Sequence, residues 1–346
     1  MTEQSEAAQE NVGAGDDARP APQVDAPSSG GEGAADGVRV AILAGGLSHE
    51  RDVSLRSGRR VAAALRDRGL RVEVLDVDAN LLPALERIRP DVVWPLVHGS
   101  TGEDGSLQDL LALLGLPFVG TAAAGCRLAS RKPVAKAVLR AAGLPTPDYA
   151  ALPQSLFREV GAQSVLRAVE DRLGLPLVVK PAGGGSALGV TVVTESSQLP
   201  GAMVACFAYG DEALIERRVA GTEVAVSVVD LGDGPRALPA VEIVTDGPYD
   251  YDARYNPGRS EYFVPARLDE ARTRTVGDLA VAVHRTLGLR HLSRTDMILD
   301  DEGTAWFLDI NVAPGMTETS LFPQAAQADG PLDDLYVDIV RAALRG

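Results

Sequence analysis

Two aspartates and an asparagine near the end of the chain have the spacing of a metal site. With Asp300 paired to Ala305 across a four-residue turn, two predicted antiparallel strands place Asp296 opposite Asp309, about 5 Å away, with Asn311 on the same face. Carboxylates this close repel one another unless a hard cation lies between them, which predicts an Mg²⁺ site completed by substrate phosphate. The alternative is a solvated acidic strand face. The opposite, core-facing side is expected to carry Met297, Leu299, Trp306, Leu308 and Ile310.

A glycine-rich segment, residues 181–189, lies between two short apolar runs and has the composition of a phosphate-binding loop. The chain contains no Gly-Lys pair, which excludes a P-loop, and Gly45-Gly46 after the first apolar run does not match a dinucleotide fingerprint. The remaining interpretation is a glycine hairpin over phosphates, with Ser186 donating a hydrogen bond and Lys180 supplying charge. A plain surface hairpin is the alternative.

Lysine is rare in this chain. Only three of the 33 basic residues are lysines, namely Lys132, Lys136 and Lys180. A lysine that is kept where arginine is used almost everywhere else suggests a place where a compact ammonium group is needed and a planar guanidinium does not fit.

The elements that position these residues begin with an alternating pattern. Apolar strands alternate with helical segments, which predicts a parallel sheet with crossover helices. Ligands of such sheets bind beyond the carboxyl ends of the strands, which is where His49, Glu50 and His98 are found. The predicted strands are 38–43, 71–77 and 91–97, and the predicted helices are 54–68 and 109–114.

The remainder of the chain predicts a mixture of strands and helices. Residues 245–264 are long, aperiodic and rich in Gly, Pro and Tyr, which predicts a functional or a disordered loop. The other predicted strands are 175–180, 190–194, 213–219, 223–229, 238–244, 294–300 and 305–311, and the predicted helices are 130–142, 269–287 and 335–344.

Composition and charge exclude several classes of protein. The 346 residues are 45% hydrophobic with a net charge of −15, so neither nucleic acid nor an anionic membrane is an expected partner. No apolar run is long enough for a membrane span, and the N-terminus lacks the pattern of a signal peptide. Two cysteines do not make a disulfide framework. We therefore expect a soluble, cytoplasmic protein with a disordered acidic tail at residues 1–36.

Two further catalytic motifs are absent. His49-Glu50 does not begin an H-E-x-x-H zinc site, because Val53 occupies the position of the second histidine. Ser186 does not lie in a Gly-x-Ser-x-Gly elbow, because Leu188 replaces the last glycine.

Together the motifs resemble those of the D-alanine–D-alanine ligase family of ATP-grasp enzymes, from about Val38 to the C-terminus. The resemblance implies a Rossmann-like parallel-sheet domain at 37–125, followed by a two-part ATP-grasp fold at 126–215 and 216–346, an α/β and α+β combination. The motifs that carry it are 45–55, His98-Gly99, 102–105, the Lys180 glycine loop, Tyr249 to Tyr255, 294–296 and 311–317.

The resemblance also implies an activity. ATP phosphorylates the carboxylate of one D-alanine, and the amine of a second attacks the acyl phosphate, which gives D-alanyl-D-alanine for peptidoglycan precursors. ATP and D-alanine are then the small-molecule substrates, Mg²⁺ or Mn²⁺ is the cofactor with two ions expected, and the enzyme is expected to be a homodimer.

The roles implied by the resemblance fall into four groups. Catalytic roles are expected for Glu50, Ser186, Tyr255 and Arg294. ATP contacts are expected at Lys132, Lys180, Ser186, Glu216, Glu223 and Leu308. Metal ligation is expected from Asp296, Asp309 and Asn311. Substrate binding is expected from His98, Gly315, Ser320 and Leu321.

Some positions depart from the family pattern. Asp309 stands where the family usually has Glu, and Ala187 replaces a second loop serine. Two alternatives therefore stay open, a ligase that joins D-alanine to a hydroxy acid or another amino acid, and a nucleotide-binding paralogue without turnover. Tyr255 favours the dipeptide, since the depsipeptide-forming relatives lack this tyrosine. A nicotinamide oxidoreductase is disfavoured by the missing fingerprint.

Overall fold

The structure is a computed structural model that describes residues 37–185, 187–245 and 260–346. The predicted acidic tail and most of the predicted long loop lie outside the described residues. The described parts of the chain form a parallel three-stranded sheet, an antiparallel four-stranded sheet and an antiparallel six-stranded sheet. This arrangement confirms the predicted combination of α/β and α+β structure.

The first sheet is parallel, as the alternating pattern predicts. Its elements are β1 (Arg39–Ala44), α1 (Arg51–Asp67), β2 (Arg71–Asp76), α2 (Leu81–Ile88), β3 (Val92–Pro95), α3 (Ser100–Glu103) and α4 (Ser106–Leu113). The strand order is β2-β1-β3. Val40 and Ile42 pack into one hydrophobic cluster and Ala41 and Leu43 into another. Both faces of β1 are therefore covered, which explains why this strand is apolar throughout.

The second sheet is antiparallel and carries the glycine-rich segment. Its elements are α5 (Ala123–Ala129), α6 (Lys132–Ala141), β4 (Tyr149–Pro153), α7 (Gln154–Val160), α8 (Ala162–Leu173), β5 (Leu177–Pro181), β6 (Thr191–Val193), α9 (Leu199–Phe207) and β7 (Glu212–Arg217). The strand order is β4-β7-β5-β6. The glycine-rich segment joins β5 to β6, which pair antiparallel as the predicted hairpin requires.

The third sheet contains the strands of the predicted metal site. Its elements are β8 (Thr222–Val229), β9 (Arg236–Ala237), β10 (Val241–Thr245), β11 (Ser260–Phe263), α10 (Glu270–Thr286), β12 (Leu292–Leu299), β13 (Ala305–Asn311), α11 (Leu321–Asp329) and α12 (Leu332–Arg345). The strand order is β11-β10-β8-β12-β13, and β9 pairs with β8. None of the described helices is long and apolar enough to cross a membrane.

A register shift in the β12–β13 ribbon corrects one step of the sequence prediction. Ala305 pairs with Leu299 and not with Asp300, and the register shifts by one residue between Asp296 and Met297. This bulge restores the predicted pairing of Asp296 with Asp309.

The same bulge changes which side chains reach the core. Because one extra residue of β13 is accommodated there, the alternation of its side chains reverses along the strand. Phe307 is buried in the core with Met297, whereas Trp306 and Leu308 are only half-buried. The predicted core positions of Trp306 and Leu308 are therefore wrong, and those of Met297, Leu299 and Ile310 are confirmed.

The last helix of the chain covers the first sheet. Trp94 on β3 meets Tyr336 on α12 edge to face, with ring centroids 5.6 Å apart. Ile339 on α12 lies in the same hydrophobic cluster as Ile42 of β1. Residues from opposite ends of the described chain therefore share one core.

We expect Ile339→Ala to destabilise the protein by about 2–5 kcal/mol, because the side chain is fully buried between α12 and the first sheet. The free energy of unfolding from a urea titration measures this effect. Leu344→Ala on the same helix is the control, because Leu344 is 38% exposed, and it should cost no more than about 1 kcal/mol. Equal losses for the two variants would contradict the packing of α12 described above.

Candidate active site

A cleft of about 790 Å³ lies between the second and third sheets. Its apolar walls come from both sides: Val178 and Val192 from the second sheet, and Ile298 and Leu308 from the third. Residues 183–185 of the glycine-rich segment also line it. Apolar walls combined with a few converging polar groups are typical of a small-molecule site.

The β12–β13 ribbon contributes two carboxylates to this cleft. Asp296 and Asp309 occupy opposing positions, and both line the cleft. The Arg294 guanidinium binds Asp296 with both arms, with Nε 2.7 Å from Oδ1 and Nη2 2.9 Å from Oδ2. Lys132 Nζ lies 3.2 Å from Asp309 Oδ2. Each carboxylate therefore has a cation of the protein beside it.

The donor set of these residues suits a hard divalent cation. Asp309 Oδ1 accepts a hydrogen bond from the backbone of Ile310, and Asn311 Oδ1 accepts one from the backbone of Ala313. These bonds orient the side chains but leave lone pairs on each oxygen. Mg²⁺ prefers such oxygen ligands. Among the described residues, no group of three or more His, Cys, Asp or Glu side chains is placed so that it could hold a metal ion by itself.

All three lysines of the chain are buried: Lys132 and Lys180 line this cleft, and Lys136 contacts the lining residue Glu216. Their exposed fractions are 8% for Lys132, 0% for Lys136 and 7% for Lys180. Lys132 donates to the carbonyl of Gly184 at 2.6 Å, which ties α6 to the glycine-rich segment. Lys136, which the resemblance leaves without a role, is therefore as buried as the two lysines that the resemblance assigns to ATP.

Glu216 joins the other two lysines. Its Oε1 lies 2.5 Å from Lys180 Nζ and its Oε2 lies 2.8 Å from Lys136 Nζ. Glu216 pairs with Val178 of β5, so Lys180, two residues along the strand, lies on the same face. Lys136 also donates to Thr146 Oγ1 at 2.8 Å and to the carbonyl of Phe307 at 3.2 Å.

Burial and pairing act against each other at these groups. The pKa of Lys136 is lowered to about 8, because burial and the neighbouring Lys180 together outweigh the opposing effect of Glu216. Burial alone would raise the pKa of Glu216, but Lys136 and Lys180 together outweigh it, and the pKa lies below its ordinary value. Glu216 is therefore an ionised carboxylate at neutral pH.

Glu223 and Leu308, two further predicted ATP contacts, line the cleft beside these charged groups. Glu223 lies on β8, opposite Ile298 of β12. Leu308 is the side chain that the bulge turns towards the cleft. Lys132, Lys180, Glu216, Glu223 and Leu308 thus line the same cleft, while their roles in ATP binding stay a prediction.

The loop after β1 is held rigidly and carries Glu50. Arg51 forms an ion pair with Asp76 and donates to the carbonyl of Gly46 at 3.0 Å. A Cβ atom placed on Gly99 would lie 3.3 Å from one Glu50 carboxylate oxygen, and one placed on Gly185 would lie 3.9 Å from the other. Glu50 therefore lies between the end of the first sheet and the glycine-rich segment. Ser186 and Tyr255, its predicted partners, lie outside the described residues.

His98 connects the first sheet to the segment after β13. Its Nδ1 lies 3.0 Å from the carbonyl of Ala313, to which it donates, and its Nε2 lies 3.3 Å from Ser57 Oγ. Ser57 Oγ accepts a hydrogen bond from the backbone of Met316 at 3.0 Å, so its own proton is directed to His98. Burial lowers the pKa of His98, which favours this neutral ring. Direct contact of His98 with substrate stays a prediction.

The predicted substrate residues after β13 form a compact turn at the start of α11. Ser320 Oγ accepts from the backbone of Thr317 at 3.0 Å and hydrogen-bonds Thr317 Oγ1 at 2.8 Å. A Cβ atom on Gly315 would lie only 2.7 Å from Ser320 Oγ, so a larger residue there would displace the Ser320 hydroxyl from its present position. The side chain of Leu321 is buried, which leaves its backbone N–H at the helix start as the group that can meet a carboxylate.

Two antiparallel sheets with a lysine-lined cleft between them define the ATP-grasp class of enzymes. Residues 138–341 match the family described as D-ala D-ala ligase C-terminus, and residues 82–121 match the family described as D-ala D-ala ligase N-terminus. The chain belongs to the D-alanine–D-alanine ligase family.

Individual members of this family match most of the chain. A D-alanine–D-alanine ligase of Anaeromyxobacter sp. strain K is 41% identical over 295 residues, which cover 85% of this chain and 92% of that protein. One of Desulforudis audaxviator is 40% identical over 308 residues, covering 88% of this chain and 98% of that protein. The crystal structure of the Bacillus anthracis D-alanine–D-alanine ligase complexed with ATP matches with a TM-score of 0.75 at 26% identity, covering 89% of this chain and 98% of that chain.

We expect Gly102→Ala to destabilise the fold by about 2 kcal/mol or more, because a Cβ atom there would overlap the backbone carbonyl of Val97 next to His98. Gly201→Ala in α9 is the matched control, because nothing lies within 4 Å of its Cβ position. Alanine favours a helix over glycine, so the control should gain about 0.5–1 kcal/mol. Urea titration of both variants tests this difference in sign, and a stabilised Gly102→Ala variant would contradict it.

Proposed function

We propose that this protein is an ATP-dependent ligase that joins two D-alanines into D-alanyl-D-alanine for peptidoglycan precursors. The observation that carries the proposal is the cleft where a glycine hairpin, the buried lysines Lys132 and Lys180, and the paired carboxylates Asp296 and Asp309 meet. Membership of the D-alanine–D-alanine ligase family supports the same conclusion.

The first step of the proposed chemistry needs positive charge around the phosphates of ATP. A carboxylate is a poor electrophile, so transfer of a phosphoryl group from ATP to the first D-alanine needs positive charge around the phosphate oxygens. We assign this charge to Lys132 and Lys180, whose ammonium groups lie beside the glycine hairpin. Arg294 lies beside Asp296 on the ribbon and would stabilise the acyl phosphate and the tetrahedral intermediate.

The proposed metal ligands are Asp296, Asp309 and Asn311, with two Mg²⁺ or Mn²⁺ ions expected from the family resemblance. The cation would neutralise charge on the phosphate oxygens as a Lewis acid. Asp309 is one methylene shorter than the glutamate usual in the family, so the number of ions bound is the first quantity to measure. A titration of the protein and ATP with Mn²⁺ counts them directly.

The two D-alanines are proposed to bind beyond the first sheet. Glu50 would hold the ammonium group of the first, since its carboxylate lies between Gly99 and Gly185. Ser320 and the backbone N–H of Leu321 would receive the carboxylate of the second at the start of α11. His98 would support both, because it holds Ala313 directly and contacts Ser57, which holds Met316 in the intervening segment.

The reaction is tested with purified protein, ATP, Mg²⁺ and D-alanine, by measuring phosphate release and the mass of the product. Formation of the dipeptide with one phosphate per bond is expected. Phosphate release only when D-lactate or another amino acid is supplied would assign a different second substrate, and nucleotide binding without turnover would identify a paralogue that has lost activity. Light scattering on the same preparation tests the proposed homodimer.

We expect Asp296→Asn to lower turnover by at least about two orders of magnitude, because one of the two charges facing the cation is lost. The Mg²⁺ concentration for half-maximal activity should rise as well. That second measurement matters because Asp296 also binds Arg294, and a variant that is slow with an unchanged Mg²⁺ requirement would show that the carboxylate acts only through the arginine. Asp301→Asn, exposed in the turn of the same ribbon, is the control and should keep its activity.

A further inference from the structure

Lys136 is a buried charge beside the lining residue Glu216, and the proposed reaction gives it no role. Its side chain is fully buried, and Thr146 and the carbonyl of Phe307 hold its ammonium group in place. It lies on α6 four residues after Lys132, and therefore on the same face of the helix. A salt bridge this deeply buried is not by itself a source of stability, since desolvation offsets much of the attraction.

The charge of Glu216 explains why a second lysine is needed. Lys180 Nζ lies 2.5 Å from Glu216 Oε1, so an isolated pair of these two groups would be neutral and would attract phosphate weakly. With Lys136 on the other carboxylate oxygen, the three groups together carry one net positive charge. Of the three, Lys180 and Glu216 line the cleft, whereas Lys136 lies behind them.

We propose that Lys136 is a positioning residue that offsets the buried charge of Glu216 and so leaves the charge of Lys180 available to the phosphates of ATP. The inference rests on the proposed function for its ligand, ATP. It predicts that Lys136 strengthens the binding of the phosphate groups and has little effect on the binding of the nucleoside. A merely structural lysine would instead change stability and leave the ratio of the two affinities unchanged.

The experiment compares the dissociation constants of adenosine and ATP by calorimetric titration, because their ratio isolates the contribution of the phosphates. Lys136→Met removes the ammonium group and keeps an unbranched side chain, and we expect the ratio of adenosine to ATP dissociation constants to fall about tenfold. The double variant Lys136→Met with Glu216→Gln restores one net positive charge and should restore the ratio. Adenosine serves as the reference because Glu216→Gln also changes the wall of the cleft.

Arg140→Met is the matched control. Arg140 lies on the same helix with its side chain 45% exposed, and it pairs with Asp148 away from Glu216. The Arg140→Met variant loses the same charge as Lys136→Met and should leave the ratio of adenosine to ATP dissociation constants unchanged. If Lys136→Met does not fold, Glu216→Gln alone decides the question, since two lysines without their anion should raise the ratio.

The outcomes separate the two proposals. A wild-type protein that does not bind ATP would overturn the proposed function. If the wild-type protein binds ATP, two results would overturn only the role of Lys136. One is a Lys136→Met variant whose ratio equals that of wild type. The other is a double variant whose ratio stays as low as that of Lys136→Met. A ratio that falls in Glu216→Gln would likewise overturn it.

Discussion

Buried charge is the constraint on which the organisation of the cleft depends. A carboxylate or ammonium group removed from water costs several kcal/mol unless a partner lies beside it. Glu216 lies between two lysines, Asp296 is held by Arg294, and Asp309 lies beside Lys132. These groups come from α6, β5, β7 and the β12–β13 ribbon, so the second and third sheets must keep their alignment for every charge to keep its partner.

Hydrogen bonds to backbone groups connect the segment after the β12–β13 ribbon to the first sheet. His98 and Ser57 bind the backbone of Ala313 and Met316, which fixes the chain that leaves the ribbon. Gly315 allows that chain to pass close to Ser320. Segments that are far apart in sequence therefore meet through backbone groups. Side chains of these segments that take no part in the contacts can be used for binding.

The sequence predicted the features that depend on local patterns. The alternation of apolar strands with helical segments predicted the parallel sheet, and residue spacing placed Asp296 opposite Asp309. The assumed turn was nevertheless one residue out of register, and the bulge that corrected it also moved Leu308 to the cleft. The error in the turn register and the bulge cancel each other at the pairing of Asp296 with Asp309. The alternation of polar and apolar residues in the sequence reveals neither of them.

Other features could not be predicted because they depend on tertiary contacts. Helices α7, α8 and α9 are short and gain their stability from packing on the second sheet, where Phe157, Leu166 and Met203 share a core. The place of Lys136 was open to prediction, since lysine rarity and its spacing from Lys132 both pointed to it. Its partner Glu216 was not, because that contact joins a helix to a strand far along the chain.

The position of α12 has a consequence for synthesis on the ribosome. Trp94 and Tyr336 are neighbours in the folded protein, but the ribosome makes the second long after the first. One face of the first sheet therefore stays exposed to water while most of the polypeptide is being translated. An early strand whose apolar surface is covered last depends on rapid completion of the chain, or on a chaperone, to avoid aggregation.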